Sequence, residues 1–170
     1  SLSARNIAVL GAGSWGTALA IQIARADLNV CLWGIESDQI RQMQEQRCNA
    51  YYLPGIEFPP ALRLEADLKT AIEQADTLLL AVPSHALRGF IESARPFIRS
   101  NQQIVWATKG LEQGSSKLMH QIIAEELPDC AATAVISGPT FAKEVAQNLP
   151  TAVTVAASSR AIADDVVIFL

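Results

Sequence analysis

Short apolar runs alternate with helical stretches along this 170-residue chain, one run ends in G-x-G-x-x-G, and another is apolar at nearly every position. These three observations predict an α/β fold of the doubly wound, Rossmann type with a mostly parallel sheet. The length suits one substantial core and is too short for two domains of ordinary size. Hydrophobic residues make up 50% of the chain and charged residues 18%. That balance fits a sheet buried on both faces and argues against a disordered segment.

The first strand is expected at residues 7–10. It runs into Gly11-Ala-Gly-Ser-Trp-Gly16 and an alanine-rich helix at 14–26. In this context Gly11 permits the tight turn out of the strand and Gly13 lets backbone approach a pyrophosphate. Gly16 lets the helix pack on the sheet. A phosphate would sit at the helix N-terminus, where N–H groups and the helix dipole favour negative charge. A plain glycine turn competes with this reading, and the order strand, motif, helix favours dinucleotide binding.

A second strand at 30–33 ends in Gly34, Ile35 and Glu36, before a helix at 37–47. Glu36 lies about 20 residues past Gly16, the spacing at which an acidic residue meets the adenosine ribose hydroxyls. A solvated carboxylate at a helix start explains it equally well. Residues 48–60, rich in aromatic residues and proline, read as a structured loop. A strand at 62–64 and a helix at 66–74 follow. The strand at 77–82 is the most apolar and is expected at the sheet centre.

Beyond that strand, Pro83 and Ser84 suit a helix start that would face a cofactor lying across the strand ends, with the helix at 84–98. His85 has the pKa range of a catalytic base, but no neighbouring carboxylate orients it, and a surface histidine is favoured. After a strand at 104–107, Thr108-Lys109-Gly110 places a lysine where it can meet an anion or polarise a carbonyl. That reading is preferred to a merely solvated lysine. A helix at 116–126 contains His120, read as structural. The strand at 134–137 ends in Gly138-Pro-Thr140, whose N–H groups could cradle an anion. A helix at 141–146 and a strand at 152–156 complete the sheet.

Net charge is −4 with no basic run, which disfavours nucleic acid and anionic membrane surfaces as partners. Cys31, Cys48 and Cys130 are scattered and, with only two histidines, form no metal-ligand cluster. They read as reduced thiols of a cytoplasmic protein. No segment reads as a signal peptide or a membrane span. Residues 159–170 read as a helix capped by Ser158 or Ser159 and ending on an apolar stripe. The expectation is a dinucleotide-binding domain over 1–158 and, from 159, a helix leading toward a second domain.

Several segments, in order along the chain, carry a specific resemblance. They are Gly11-Ala-Gly-Ser-Trp-Gly-Thr-Ala-Leu-Ala20, Leu32-Trp-Gly34, Tyr52-Leu-Pro-Gly55, Val82-Pro-Ser-His85, Trp106-Ala-Thr-Lys-Gly-Leu-Glu112 and Ile136-Ser-Gly-Pro-Thr-Phe-Ala-Lys-Glu-Val145. Together the chain resembles the bacterial NAD(P)-dependent glycerol-3-phosphate dehydrogenases. The resemblance implies reduction of dihydroxyacetone phosphate to sn-glycerol 3-phosphate with NADH or NADPH, for phospholipid synthesis. It assigns Ser14, Trp15 and Ala142 to the cofactor, Lys109 to cofactor and substrate, and Gly138 and Thr140 to the substrate. It admits a homodimer at full length. It also implies that the general acid/base lysine belongs to a C-terminal helical domain, so Lys109 acts electrostatically and this chain alone is expected to turn over little substrate.

Where relatives often carry histidine or arginine after Leu-Trp-Gly, this chain has Ile35 and then Glu36. Neither favours a 2′-phosphate, which leans the preference toward NAD. A dehydrogenase for a 3-hydroxy acid or 6-phosphogluconate, and a noncatalytic dinucleotide sensor, are the competing readings. The former would not be expected to carry both Thr108-Lys-Gly110 and Gly138-Pro-Thr-Phe-Ala142, and a sensor has no need of Lys109 and Thr140.

Overall fold

The computed structural model describes residues 6–107, 115, 118–130, 133–137, 142, 146–147 and 154–157, with the strands at 133–137 and 154–157 described by their backbone. Strands β1 (Asn6–Leu10), β2 (Asn29–Trp33), β5 (Leu62–Glu65), β6 (Thr77–Leu80), β7 (Gln103–Trp106), β8 (Thr133–Ser137) and β9 (Thr154–Ala157) form one sheet. Its order is β5-β2-β1-β6-β7-β8-β9. Every pairing is parallel except β8 with β9, which is antiparallel. The order reverses direction between β1 and β6, the position where open α/β sheets leave a crevice.

Successive strand residues point to opposite faces, so the strands divide their apolar side chains between two cores. Ile7, Val9, Val30, Leu32, Leu79 and Val105 join one core. There they meet Leu19, Ile21 and Ile23 of α1 (Ser14–Arg25) and Ile40 and Met43 of α2 (Ser37–Gln46). Ala8, Leu10, Cys31, Leu78, Leu80 and Ile104 join the other. That face is covered by α3 (Leu68–Glu73), α4 (Leu87–Ala94) and α5 (Met119–Glu126), through Ile72, Leu87, Ile91, Ile122 and Ile123. Leu78, Leu79 and Leu80 are fully buried, as a central strand covered on both sides requires.

Residues 48–60 are more ordered than a connecting loop. They contain a short antiparallel hairpin, β3 (Cys48–Asn49) and β4 (Leu53–Glu57), with an irregular register at Cys48/Asn49. Leu53, Ile56 and Phe58 anchor it in the first core. Arg47, in the left-handed conformation after α2, donates to the carbonyls of Pro59 and Leu62 at 2.9 and 2.8 Å, tying the end of the hairpin segment to β5.

The helix expected over 84–98 is divided. Ser84–Ala86 form a 3-10 turn, α4 follows, and Arg95–Phe97 form a second 3-10 turn. Pro96 lacks the N–H that would continue the α-helical ladder. The strand expected to reach Val82 ends at Leu80. The helices expected at 141–146 and 158–170 lie outside the described residues, apart from Ala142 and Ala146, which are helical. Among the described residues no helix is long and apolar enough to cross a membrane, and no group of histidine, cysteine and carboxylate side chains is arranged to hold a metal.

Candidate cofactor-binding site

Strand register aligns Glu65, Trp33, Leu10, Leu80 and Trp106 across the carboxyl rim of the sheet. The ladder runs one residue further. Gly11 N donates to Trp33 O at 2.9 Å, Ala81 N to Leu10 O at 2.9 Å, and Ala107 N to Leu80 O at 2.8 Å. Past that row the chain from β1 turns into α1, which packs on one face, while the chain from β6 turns toward α4 on the other.

The turn into α1 depends on two glycines for different reasons. Gly11 has φ +128, and a Cβ there would stand 2.7 Å from the carbonyl carbon and oxygen of Ala81. Gly16 has no room at all, since its Cβ would lie 1.9 Å from Gly11 O. Around Gly13, by contrast, a Cβ would meet nothing within 4 Å. Thr17 N donates to Gly13 O at 3.0 Å to begin the helix, no side chain caps it, and its first turn has no acidic residue. The helix start therefore presents backbone N–H groups and the positive end of its dipole to the crevice.

A cavity of about 920 Å³ opens here. Its wall comprises the glycine-rich turn from Gly11 to Trp15, the end of β2 from Trp33 to Glu36, the turn from Ala81 to Ser84, Tyr52, Phe90, Ala107 and Ala142, among others. Of the residues singled out from sequence, Gly11, Gly13, Ser14, Trp15, Ile35, Glu36, Pro83 and Ala142 thus meet around one space. Gly16 lies against Gly11 O and is not among the lining residues. Lys109, Gly138 and Thr140 lie outside the described residues. His85 is exposed and is not in the wall, although its neighbours Ser84 and Ala86 are.

The described wall carries one carboxylate, Glu36, and no lysine, arginine or histidine. Within it, an anion would be held by backbone N–H groups and the α1 dipole. Ile35 is 85% exposed at the mouth. Glu36 is the N-cap residue of α2, yet its side chain caps nothing. Trp33 stiffens the far wall. Its indole Nε1 donates to Ala66 O at 3.2 Å, and its ring lies 5.5 Å from that of Phe90.

Sequence reasoning missed how the hairpin takes part. Asn49 is buried, and its Nδ2 donates to Ala12 O at 3.1 Å and Thr17 Oγ1 at 2.9 Å, while its Oδ1 accepts from Tyr52 N at 3.1 Å. Ser14 Oγ donates to Tyr52 O at 3.3 Å. The aromatic density of 48–60 and the Tyr52-Leu-Pro-Gly55 segment of the resemblance point to Tyr52 without giving it a role, and a single asparagine in such a stretch gives no signal.

Residues 6–163 match the family described as the NAD-dependent glycerol-3-phosphate dehydrogenase N-terminus. The chain belongs to this family. It is 46% identical over 165 residues to the glycerol-3-phosphate dehydrogenase [NAD(P)+] of Mannheimia succiniciproducens, an alignment that covers 97% of this chain and 49% of that protein. The crystal structure of glycerol-3-phosphate dehydrogenase from Coxiella burnetii superposes with a TM-score of 0.92 at 44% identity, covering 98% of this chain and 51% of that one. The glycerol-3-phosphate dehydrogenase of Saccharomyces cerevisiae gives 0.80 at 26% identity, covering 91% and 47%. The chain therefore spans about half the length of the glycerol-3-phosphate dehydrogenases it matches.

Proposed function

We propose that this chain holds NAD or NADP in the rim cavity, as the cofactor-binding half of an oxidoreductase that interconverts dihydroxyacetone phosphate and sn-glycerol 3-phosphate. The observation that carries the reading is the glycine-rich turn at the point of strand-order reversal. Its helix start faces a cavity large enough for a cofactor, in the range of about 300–1,000 Å³. The residues fit a dinucleotide, because Gly13 leaves open space where a diphosphate would approach and the helix start offers donors without a competing acid. Residues 1–158 form the proposed binding unit, with 159–170 as a helix leading away from it.

The chemistry a bound nicotinamide supplies is hydride exchange with the carbon that carries the oxygen. This chain's own residues bind, orient and stabilise. Lys109, two residues beyond the wall residue Ala107, would steady negative charge developing on the substrate oxygen. Gly138 and Thr140 would hold the substrate beside it, and the family's general acid/base lysine, expected in a C-terminal helical domain, would move the proton. Ile35 and Glu36 at the mouth offer no cation to a 2′-phosphate, and the carboxylate repels one, so NAD is preferred over NADP. The product would serve phospholipid synthesis in the cytoplasm, and a homodimer fits the full-length enzyme.

Tryptophan fluorescence tests this directly, since Trp15 and Trp33 are in the cavity wall. NADH is expected to quench it saturably, and NADPH to do so only at higher concentration. No response to either at millimolar levels in a folded sample would overturn the reading.

A further inference from the structure

We infer that Asn49 is a positioning residue that sets the orientation of the Ala12–Gly13 peptide, and through it the affinity of the site for the diphosphate of its cofactor. The inference rests on the dinucleotide reading and deepens it. A planar trans peptide points its C=O and N–H in opposite directions. Asn49 Nδ2 holds Ala12 O at 3.1 Å from within the protein interior. The Gly13 N–H is thereby turned away from Asn49, and both residues of this peptide line the cavity. With Asn49 absent, a turn built on glycine is free to flip this peptide and aim a carbonyl, rather than a donor, at the diphosphate.

Three of the four hydrogen-bonding positions of the Asn49 amide are satisfied by named partners, each with a different duty. Ala12 belongs to the phosphate-facing turn and Thr17 to the first turns of α1. Tyr52 belongs to the hairpin and is a residue of the cavity wall. One buried side chain therefore registers the turn, the helix and the hairpin against one another. The contact of Ser14 Oγ with Tyr52 O ties the same two segments at the mouth. Asn49 is not among the lining residues, so its effect on binding travels through the wall residues that it holds, Ala12 foremost.

The test compares ADP-ribose, which has the diphosphate, with adenosine, which lacks it, by titration calorimetry or competition against NADH on the full chain. Loss of one well-made hydrogen bond corresponds to about a tenfold change in a binding constant. Asn49→Ala is expected to weaken ADP-ribose by about tenfold while adenosine stays within about twofold. Thr17→Val keeps the Ala12 and Tyr52 bonds and removes only the hydroxyl acceptor. Both ligands are therefore expected to stay within about twofold. Asn49→Asp keeps an acceptor for Tyr52 N but puts a second acceptor where Ala12 O needs a donor. It is expected to weaken ADP-ribose by about tenfold and carries the test if Asn49→Ala does not fold. A parallel loss for both ligands in an Asn49 variant would mean that Asn49 merely supports the fold, and unchanged affinity there would mean that it sets nothing. Either result overturns the inference while leaving the proposed function standing. Failure of the unsubstituted chain to bind ADP-ribose would remove both.

Discussion

The two rims of the sheet are finished in opposite ways. At the amino rim the polar groups of Asn6, Asp76, Thr77, Gln102 and Gln103 are engaged in holding the structure closed. Asn6 N donates to Asp76 Oδ2 at 2.9 Å, Asp76 N to Asn6 O at 2.8 Å, and Thr77 Oγ1 to Gln103 Oε1 at 3.2 Å. Gln102 is buried, and its Nε2 donates to Ile72 O and Ala75 O, both at 2.8 Å, while its Oε1 accepts from Arg99 N at 2.8 Å. At the carboxyl rim the turns are built from small residues, and the wall is mostly backbone and apolar side chain. Polar groups that close a rim contribute stability, whereas a rim left open to a cavity keeps its donors for a ligand. Substitutions at the two rims should therefore separate folding from binding.

The largest effect is expected where the carboxyl rim also depends on close packing. Gly16→Ala drives a methyl into Gly11 O and should cost about 4 kcal/mol or more of stability, abolishing binding with it. Thermal unfolding would read the loss. Gln102→Ala should lower stability by about 1–3 kcal/mol, since Ile72 O and Ala75 O each lose a buried donor and Arg99 N loses its acceptor. NADH affinity of the folded protein should not change. An affinity loss there would break the division between rims.

Gly13→Ala sharpens the comparison from the other side. Its φ of −75 is one that alanine adopts freely, and the new methyl meets nothing in the protein. Stability should stay level or rise by about 0.4–1 kcal/mol, while NADH affinity falls at least about tenfold because the methyl stands where the diphosphate approaches. Equilibrium denaturation and titration on the same sample would show whether the two quantities part.

The smallest effect concerns Asp67, which caps α3 by accepting from Thr70 Oγ1 and from Thr70 N at 2.9 Å. The side-chain bond from Thr70, then its backbone bond, holds the Asp67 carboxyl below its ordinary value of 3.8. The group is depressed in the folded state, so its contribution is complete above that ordinary value. It fades as pH falls through the lowered one. Asp67→Asn should flatten that acid limb of the stability profile and leave neutral-pH binding unchanged.

Much of this arrangement was legible beforehand, for physical reasons that also explain what was not. Strands β1, β2, β6 and β7 are apolar runs because parallel strands are covered on both faces, and such runs stand out against polar helix faces. The glycine turn was legible because Gly11 and Gly16 sit where no side chain fits. The β3–β4 hairpin was not, since β3 has two residues, β4 contains Pro54 and Gly55, and neither alternates in burial as a regular strand does. The break at the end of the 84–98 helix followed from Pro96, whose effect on the last turn a pattern of apolar positions does not register. Asn49 was invisible because its role is defined by partners 37, 32 and 3 residues away, a relation that no local pattern encodes.

Amide chemical shifts followed by NMR during a titration with NADH test the central claim, that the backbone of the carboxyl rim grips a dinucleotide. The account predicts large, saturable changes at Gly13, Ser14, Trp15 and Gly34, with Asp76, Thr77 and Gln102 at the opposite rim unmoved. Changes centred on the amino rim, or none at the glycine-rich turn under saturating NADH, would contradict it.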